Sequence, residues 1–212
     1  MEKINTSGQA RIFKSDFLES LTKTSPLISV LVYGPCIALM LYVAMYWKGL
    51  TAGQTVFWFG FALFFWTFAE YFLHRHLFHY ITEAEWTHRF HFVVHGSHHE
   101  YPRDQDRLLM PPVPGLMLAT ILFSFFYVIF FIFGYSELTW AFFPGFFLGY
   151  LLYSFMHYAI HTYRPPSFLK NLWLHHNVHH YKDNGRAFGV SNRFWDRIFG
   201  TMPERKDMVD RS

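Results

Sequence analysis

The sequence is short of cross-links and of charge. It has one cysteine, Cys36, in 212 residues, which excludes a disulfide framework and a cysteine-rich zinc site. Charged residues make up only 16% of the chain and the net charge is +3. No basic run interleaved with stacking aromatics occurs, so no nucleic-acid partner is expected. The first 25 residues mix Glu2, Lys3, Arg11, Lys14, Asp16, Glu19 and Lys23 with polar residues. They lack the apolar core of a secretory signal peptide, so the first apolar run is expected to be retained. No internal repeat and no low-complexity linker marks off a second domain, and residues 1–212 are expected to form a single one.

Apolar residues reach 52% and aromatics 22%, beyond ordinary globular composition. Four nearly uncharged runs, 27–47, 53–73, 113–135 and 138–156, are each long enough to cross about 30 Å of hydrocarbon as a helix. The expected fold is all-α: a polytopic membrane protein with four transmembrane helices, a cytosolic N-terminal segment (1–26) and a cytosolic helical cap built from 74–112 and 157–212. Gly34-Pro35 predicts a kink in the first span, and Tyr42, Tyr46 and Trp47 suit the headgroup level. Arg11, Lys14 and Lys23 precede the first span, the first exterior loop offers only Lys48, and the second offers no base. The positive-inside rule then puts both termini and both polar sections in the cytoplasm. A soluble all-α protein with four such buried runs is the weaker reading.

The polar sections hold the chemistry. Eight of the 14 histidines lie in the 26 residues His74–His99; the others are His157 and His161 in HYAIH, and His175, His176, His179 and His180 in LHHNVHH. Neutral imidazole is the commonest biological metal ligand. On a continuing helix, residues three and four apart share a face. His95, His98 and His99 then form one triplet able to converge on a metal, His176, His179 and His180 another, and His157 and His161 a pair. His74 and His79 stand five apart, about 140° around an ideal helix; they serve two metals, or one if the helix ends between them. Ten imidazoles at ligand spacing are too many for one structural zinc and suit two metals of higher coordination number; magnesium or calcium would want oxygen ligands. A metal transporter would carry ligands within its spans, and these hold almost no histidine or acid. Spacing does not exclude His88 or His91, which share a helical face with His95.

The clusters HRHLFH, HGSHH, HYAIH and HNVHH after paired spans resemble the integral-membrane fatty acid hydroxylase and sterol desaturase di-metal superfamily. HGSHHEYPRDQDRLLMPPVP and FGVSNRFWDRIFGT sharpen the resemblance to fatty acid 2-hydroxylases, over roughly residues 68 to 201. The resemblance implies ten metal ligands: His74, His79, His95, His98, His99, His157, His161, His176, His179 and His180. It leaves His76, His88, His91 and His175 outside the ligand set, as side chains that orient the ligands. It implies two metal ions, iron in the active enzyme with zinc possible in purified protein, and dioxygen as co-substrate. The reaction implied is hydroxylation of a fatty acid or sphingolipid acyl chain next to its carbonyl. About 25 residues precede the first span where some relatives carry a b-type cytochrome domain. Electrons are therefore expected from a separate donor, a b-type cytochrome or a ferredoxin system. Ser154 stands where the family often has an acid. Tyr153, with Phe64, Phe65, Trp66, Phe68, Phe72, Tyr150 and Phe155, is a candidate for lining an acyl slot, against a plain packing role. Asn177, Asp183, Trp195 and Asp196 are candidates for headgroup binding or for bracing the ligands. A sterol or carotenoid oxidase, and a non-catalytic membrane metal-binding protein, are the competing functions.

Overall fold

A computed structural model of the protein describes residues 4–208, and among these every regular element is helical. The helices are α1 (Asp16–Ser20), α2 (Pro26–Tyr42), α3 (Ala52–Leu73), α4 (Glu85–His91), α5 (Ser97–Glu100), α6 (Pro112–Ile132), α7 (Thr139–Thr162), α8 (Lys170–Tyr181) and α9 (Phe194–Ile198). π-helical turns follow α2 (Val43–Trp47) and α3 (His74–Phe78), and a third (Phe92–Gly96) links α4 to α5. α2 opens on Ser25, whose hydroxyl accepts the Ile28 N–H, with Pro26 in the first turn, where its missing N–H costs nothing.

Four helical stretches are long and apolar enough to cross a membrane: Pro26–Trp47, Ala52–Phe78, Gln105–Ile132 and Ser136–Thr162. The most apolar window of the last is 67% buried, against 22% or less in the other three. Those three expose apolar surface that water would not tolerate, so the protein is a membrane protein. The helices do not stop where apolarity stops. The second stretch runs on from the expected 73 to Phe78, and the fourth from 156 to Thr162, because neither extension contains proline or glycine. The third helix instead ends at Ile132 rather than 135, before Gly134 at φ 81°.

The chain divides into two compact units. One comprises 21–66 and 109–152. Here Gly145 sits against the backbone of Phe59; a Cβ at Gly145 would lie 2.2 Å from the Phe59 carbonyl oxygen. Trp66 packs edge-on to Phe146 and Tyr150, with centroids 4.9 and 5.6 Å away. The Tyr33 hydroxyl reaches the Met110 and Pro111 carbonyls at 3.2 and 3.1 Å. The other unit contains the described residues of 1–20, 67–108 and 153–212, and with them all 14 histidines. Its apolar support is a cluster of Ile160, Leu172, Trp173 and Val190, joined by Tyr153 and Met156.

Candidate metal centre

The ten histidines separate into two groups of five. His74, His79, His95, His99 and His179 form one, and His98, His157, His161, His176 and His180 the other; within each, the ligand atoms lie within 4.8 Å of one another. The π turn explains how His74 and His79 come together. Its i→i+5 bonding makes residues five apart near neighbours along the axis, and the helix ends at His79 (φ −95°, ψ 18°).

The two triplets do not each converge on a single point. His95 and His99, four apart, join the first group while His98 joins the second; His176 and His180 join the second while His179 joins the first. Adjacent helical residues diverge by about 100°, so His98 cannot share a direction with His99, nor His179 with His180. Each group therefore takes a pair from a span end, an i, i+4 pair from one short helix and a single imidazole from the other.

The nitrogens suit a shared cation. His74 Nδ1–H donates to the Phe188 carbonyl at 2.5 Å, and His179 Nδ1–H to the Arg186 carbonyl at 2.7 Å. A neutral imidazole has one N–H, so the Nε2 of each presents a lone pair. That lone pair lies 3.0 Å from His95 Nε2 in one case and 3.0 Å from His79 Nε2 in the other. His95 Nε2 is also 2.9 Å from His99 Nε2, and it cannot donate to both neighbours. In the second group, His161 and His176 bring their Nε2 atoms within 2.8 Å, and His98 and His180 within 3.1 Å. His157 donates to the Leu108 backbone, while its buried Nε2 has no hydrogen-bond partner among the described residues. Two nitrogens each about 2.1 Å from a shared ion, at right angles, stand about 3 Å apart. The residues present therefore fit two metal ions.

Burial keeps the rings in the ligating form. Desolvation holds His95, His98, His99, His176 and His180 well below the usual imidazole range, and their imidazole neighbours push the same way. Burial takes His179 down to about 4, against an upward pull from the Arg186 carbonyl.

The segment from Arg186 to Ser191 backs the first group. The Phe188 and Gly189 N–H groups donate to the two oxygens of Asp196 at 2.9 and 2.8 Å. The Val190 and Ser191 N–H groups donate to Glu70 Oε1 at 2.7 and 2.8 Å, and the Ser191 hydroxyl donates to Glu70 Oε2. Only glycine fits at 189, where a Cβ would lie 2.7 Å from Asp196 Oδ2 and closer still to the Asn192 carbonyl. A hydroxyl chain continues outward: Thr201 donates to Asp196 at 2.7 Å, Tyr71 lies 3.0 Å from Thr201, and Arg75 donates to Tyr71 at 2.8 Å. Sequence reasoning missed Glu70, Ser191 and Thr201 as site residues. The acid at the end of an otherwise uncharged span was the available signal.

The other candidates fall in several places. His91 is buried, donates from Nδ1 to the Phe78 carbonyl at 2.6 Å, and faces His79 at 5.7 Å between centroids. His175 is fully buried with Nε2 3.1 Å from Asp196. His76 and His88 are exposed; His76 rests on Phe72. Tyr153 stacks flat on His157, with centroids 5.8 Å apart and planes at 7°. Phe65 and Trp66 pack on Phe146, and Phe68 packs on Trp195. Trp195 donates to the Thr67 hydroxyl at 2.9 Å. Asp183 caps a turn, accepting the Gly185 N–H at 3.0 Å with Arg186 nearby. Asn177 is exposed and lines a cleft with Arg103, Arg164, Tyr181 and His161. Ser154 is buried.

An all-α membrane chain with two adjacent five-imidazole groups defines the class: an integral-membrane protein with a histidine-rich site built for metal. The chain belongs to the fatty acid hydroxylase family, whose model matches residues 59–201. It is 33% identical over 204 residues to a dihydroceramide fatty acyl 2-hydroxylase of Arabidopsis thaliana, covering 95% of this chain and 84% of that one. It is 38% identical to the ceramide very long chain fatty acid hydroxylase of Schizosaccharomyces pombe, over 92% of this chain, and spans 55% of that protein's length. The fold is similar to a solved structure described as full-length scs7p with only the hydroxylase domain visible. The TM-score is 0.78 and the identity 36%, over 89% of this chain and 70% of that one.

Proposed function

We propose that this protein hydroxylates the 2-position of a fatty acid, or of the fatty acyl chain of a sphingolipid, at a two-iron centre. The observation that carries the reading is the pair of neighbouring five-imidazole groups in a chain similar to named 2-hydroxylases. One ion would be held by His74, His79, His95, His99 and His179, the other by His98, His157, His161, His176 and His180. Iron held there would supply the oxidation: dioxygen, two external electrons and two protons would give one oxygen atom inserted into the C–H bond beside the acyl carbonyl and one released as water. Zinc in a purified sample is compatible with this, since imidazole accepts both metals.

The chain's own residues bind, orient and exclude water. Buried imidazoles offer lone pairs without competing protons. The Phe188 and Arg186 carbonyls fix the tautomers of His74 and His179, the outer contact that metal-bound histidines generally need. Tyr153, flat on His157, borders the acyl chain. The cleft holding Asn177, Arg103 and Arg164 beside His161 receives the polar end of the lipid. Electrons come from a separate b-type cytochrome or ferredoxin system. Residues 1–212 act as one hydroxylase domain in the endoplasmic reticulum or a bacterial inner membrane. Its termini and histidine sections face the cytoplasm, where the bases cluster.

The test is lipid analysis. The chain is expressed in cells that make no 2-hydroxylated lipid, and total fatty acids are released and measured by mass spectrometry. 2-Hydroxy fatty acids are expected with the wild type and none with His98→Ala. Oxidised sterols or carotenoids instead, or bound metal without any lipid product, would overturn the reading.

A further inference from the structure

We infer that the segment from Arg186 to Ser191 is a backbone bracket that fixes one of the two imidazole groups, and that Glu70 and Asp196 are the positioning residues that hold it. The inference rests on the ligand role proposed for the ten histidines.

His74 and His179 come from different helices, yet both place their outer N–H on this one segment, at the Phe188 and Arg186 carbonyls. Between those carbonyls stands Ala187 at φ 61°, the one non-glycine with positive φ among the described residues. L side chains rarely occupy that region, and it turns the peptide that joins the two acceptors. Five consecutive N–H groups hold the turn in place. Ala187 donates to the Thr201 carbonyl at 2.8 Å, Phe188 and Gly189 to Asp196, and Val190 and Ser191 to Glu70. Both acids are buried, at 3% exposure for Glu70 and none for Asp196. Neither belongs to a five-imidazole group; Glu70 acts on the centre through this segment, and Asp196 through the segment and through its contact with His175, which is not one of the ten imidazoles. No histidine of the second group bonds to this segment among the described residues. The bracket is therefore specific to one ion.

The full chain is purified, stripped of metal and titrated with cobalt(II) against a competing chelator, with metal per chain measured by elemental analysis. The wild type takes up about two ions tightly. Glu70→Gln and Asp196→Asn each weaken one of the two by about 10- to 100-fold and leave the other at wild-type affinity. Ala187→Gly keeps both, because glycine adopts positive φ freely, whereas Ala187→Val behaves like the carboxyl variants. Should a carboxyl variant aggregate, Ser191→Ala, which removes one hydroxyl donor and keeps both N–H bonds to Glu70, gives a smaller weakening of the same ion. Both ions weakening together, or neither, overturns the bracket. A wild-type chain that takes up one ion or none sinks the ligand reading first, and the bracket with it.

Discussion

His98 and His99 are consecutive in the chain, yet their imidazoles belong to different five-membered groups, with ring centroids 6.0 Å apart. His179 and His180 repeat the relationship at 5.7 Å. The two pairs interlock, since His99 stacks on His180 at 4.2 Å across the group boundary. Two short helical segments thus each contribute to both groups.

Histidines outside the groups should differ among themselves. His76 and His88 are exposed, so His76→Ala and His88→Ala are expected to leave metal content and turnover within about twofold, as surface changes do. His91 is buried against the Phe78 carbonyl and faces His79. His91→Ala is expected to weaken metal binding by about tenfold. Chelator competition on the three purified variants checks this, and equal behaviour would contradict it.

Stability of the metal-free protein should fall in mild acid. An unfolded histidine takes up its proton near pH 6.5, whereas burial delays His179 to about pH 4. Between those values the unfolded chain binds more protons, so stability present above pH 6.5 is lost as pH falls. For His179 the loss reaches at most roughly 3 kcal/mol, and the other buried cap histidines add in the same direction. Thermal unfolding of stripped protein in detergent should give a falling Tm from pH 7 to pH 5; a flat profile would contradict the burial of neutral rings.

Arg107 bonds two buried carboxyls, Asp104 at 2.7 Å and Glu19. Burial would raise the Glu19 carboxyl, but the Phe13 N–H, Arg107 and the Ile12 N–H outweigh it and hold the group below its ordinary value. Arg107→Ala removes the cation shared by both acids, leaving Asp104 the Ala10 N–H and Glu19 the Ile12 and Phe13 N–H groups, and should cost about 3 kcal/mol. Glu19→Gln, which keeps an acceptor for the N–H groups, should cost less. Thermal unfolding of the two variants compares them directly.

In the spans, Gly145 and Gly60 should part company. A Cβ at 145 meets the Phe59 carbonyl, and one at 60 meets nothing within 4 Å. Gly145→Ala is expected to lose about 1–3 kcal/mol to overpacking, while Gly60→Ala stays within about 0.5 kcal/mol. Detergent melts of the pair are the check.

Much of the layout was legible because composition alone separates spans from cap: runs of about 20 residues with almost no charge have few other uses. The histidines were legible because few other chemistries gather imidazole so densely. Their sorting was not. The HxxHH spacing looks like a single triplet, and only the direction of each ring shows that His98 parts from His95 and His99. His74 and His79 were ambiguous because residue types do not announce a π turn. The supports for His74 and His179 were hidden for a different reason: they are the carbonyls of Phe188 and Arg186, and a backbone atom leaves no mark on the residue type that carries it.

Metal stoichiometry tests the two-centre site most directly. Wild type, His98→Ala, His99→Ala and the double variant are purified from one metal-supplemented preparation and their metal per chain is measured. The expected values are about two for the wild type, about one for each single variant, and near zero for the double variant, since each substitution opens a different group. A wild type with no bound metal, or single variants that both keep two ions, would contradict the division of the ten imidazoles into two metal centres.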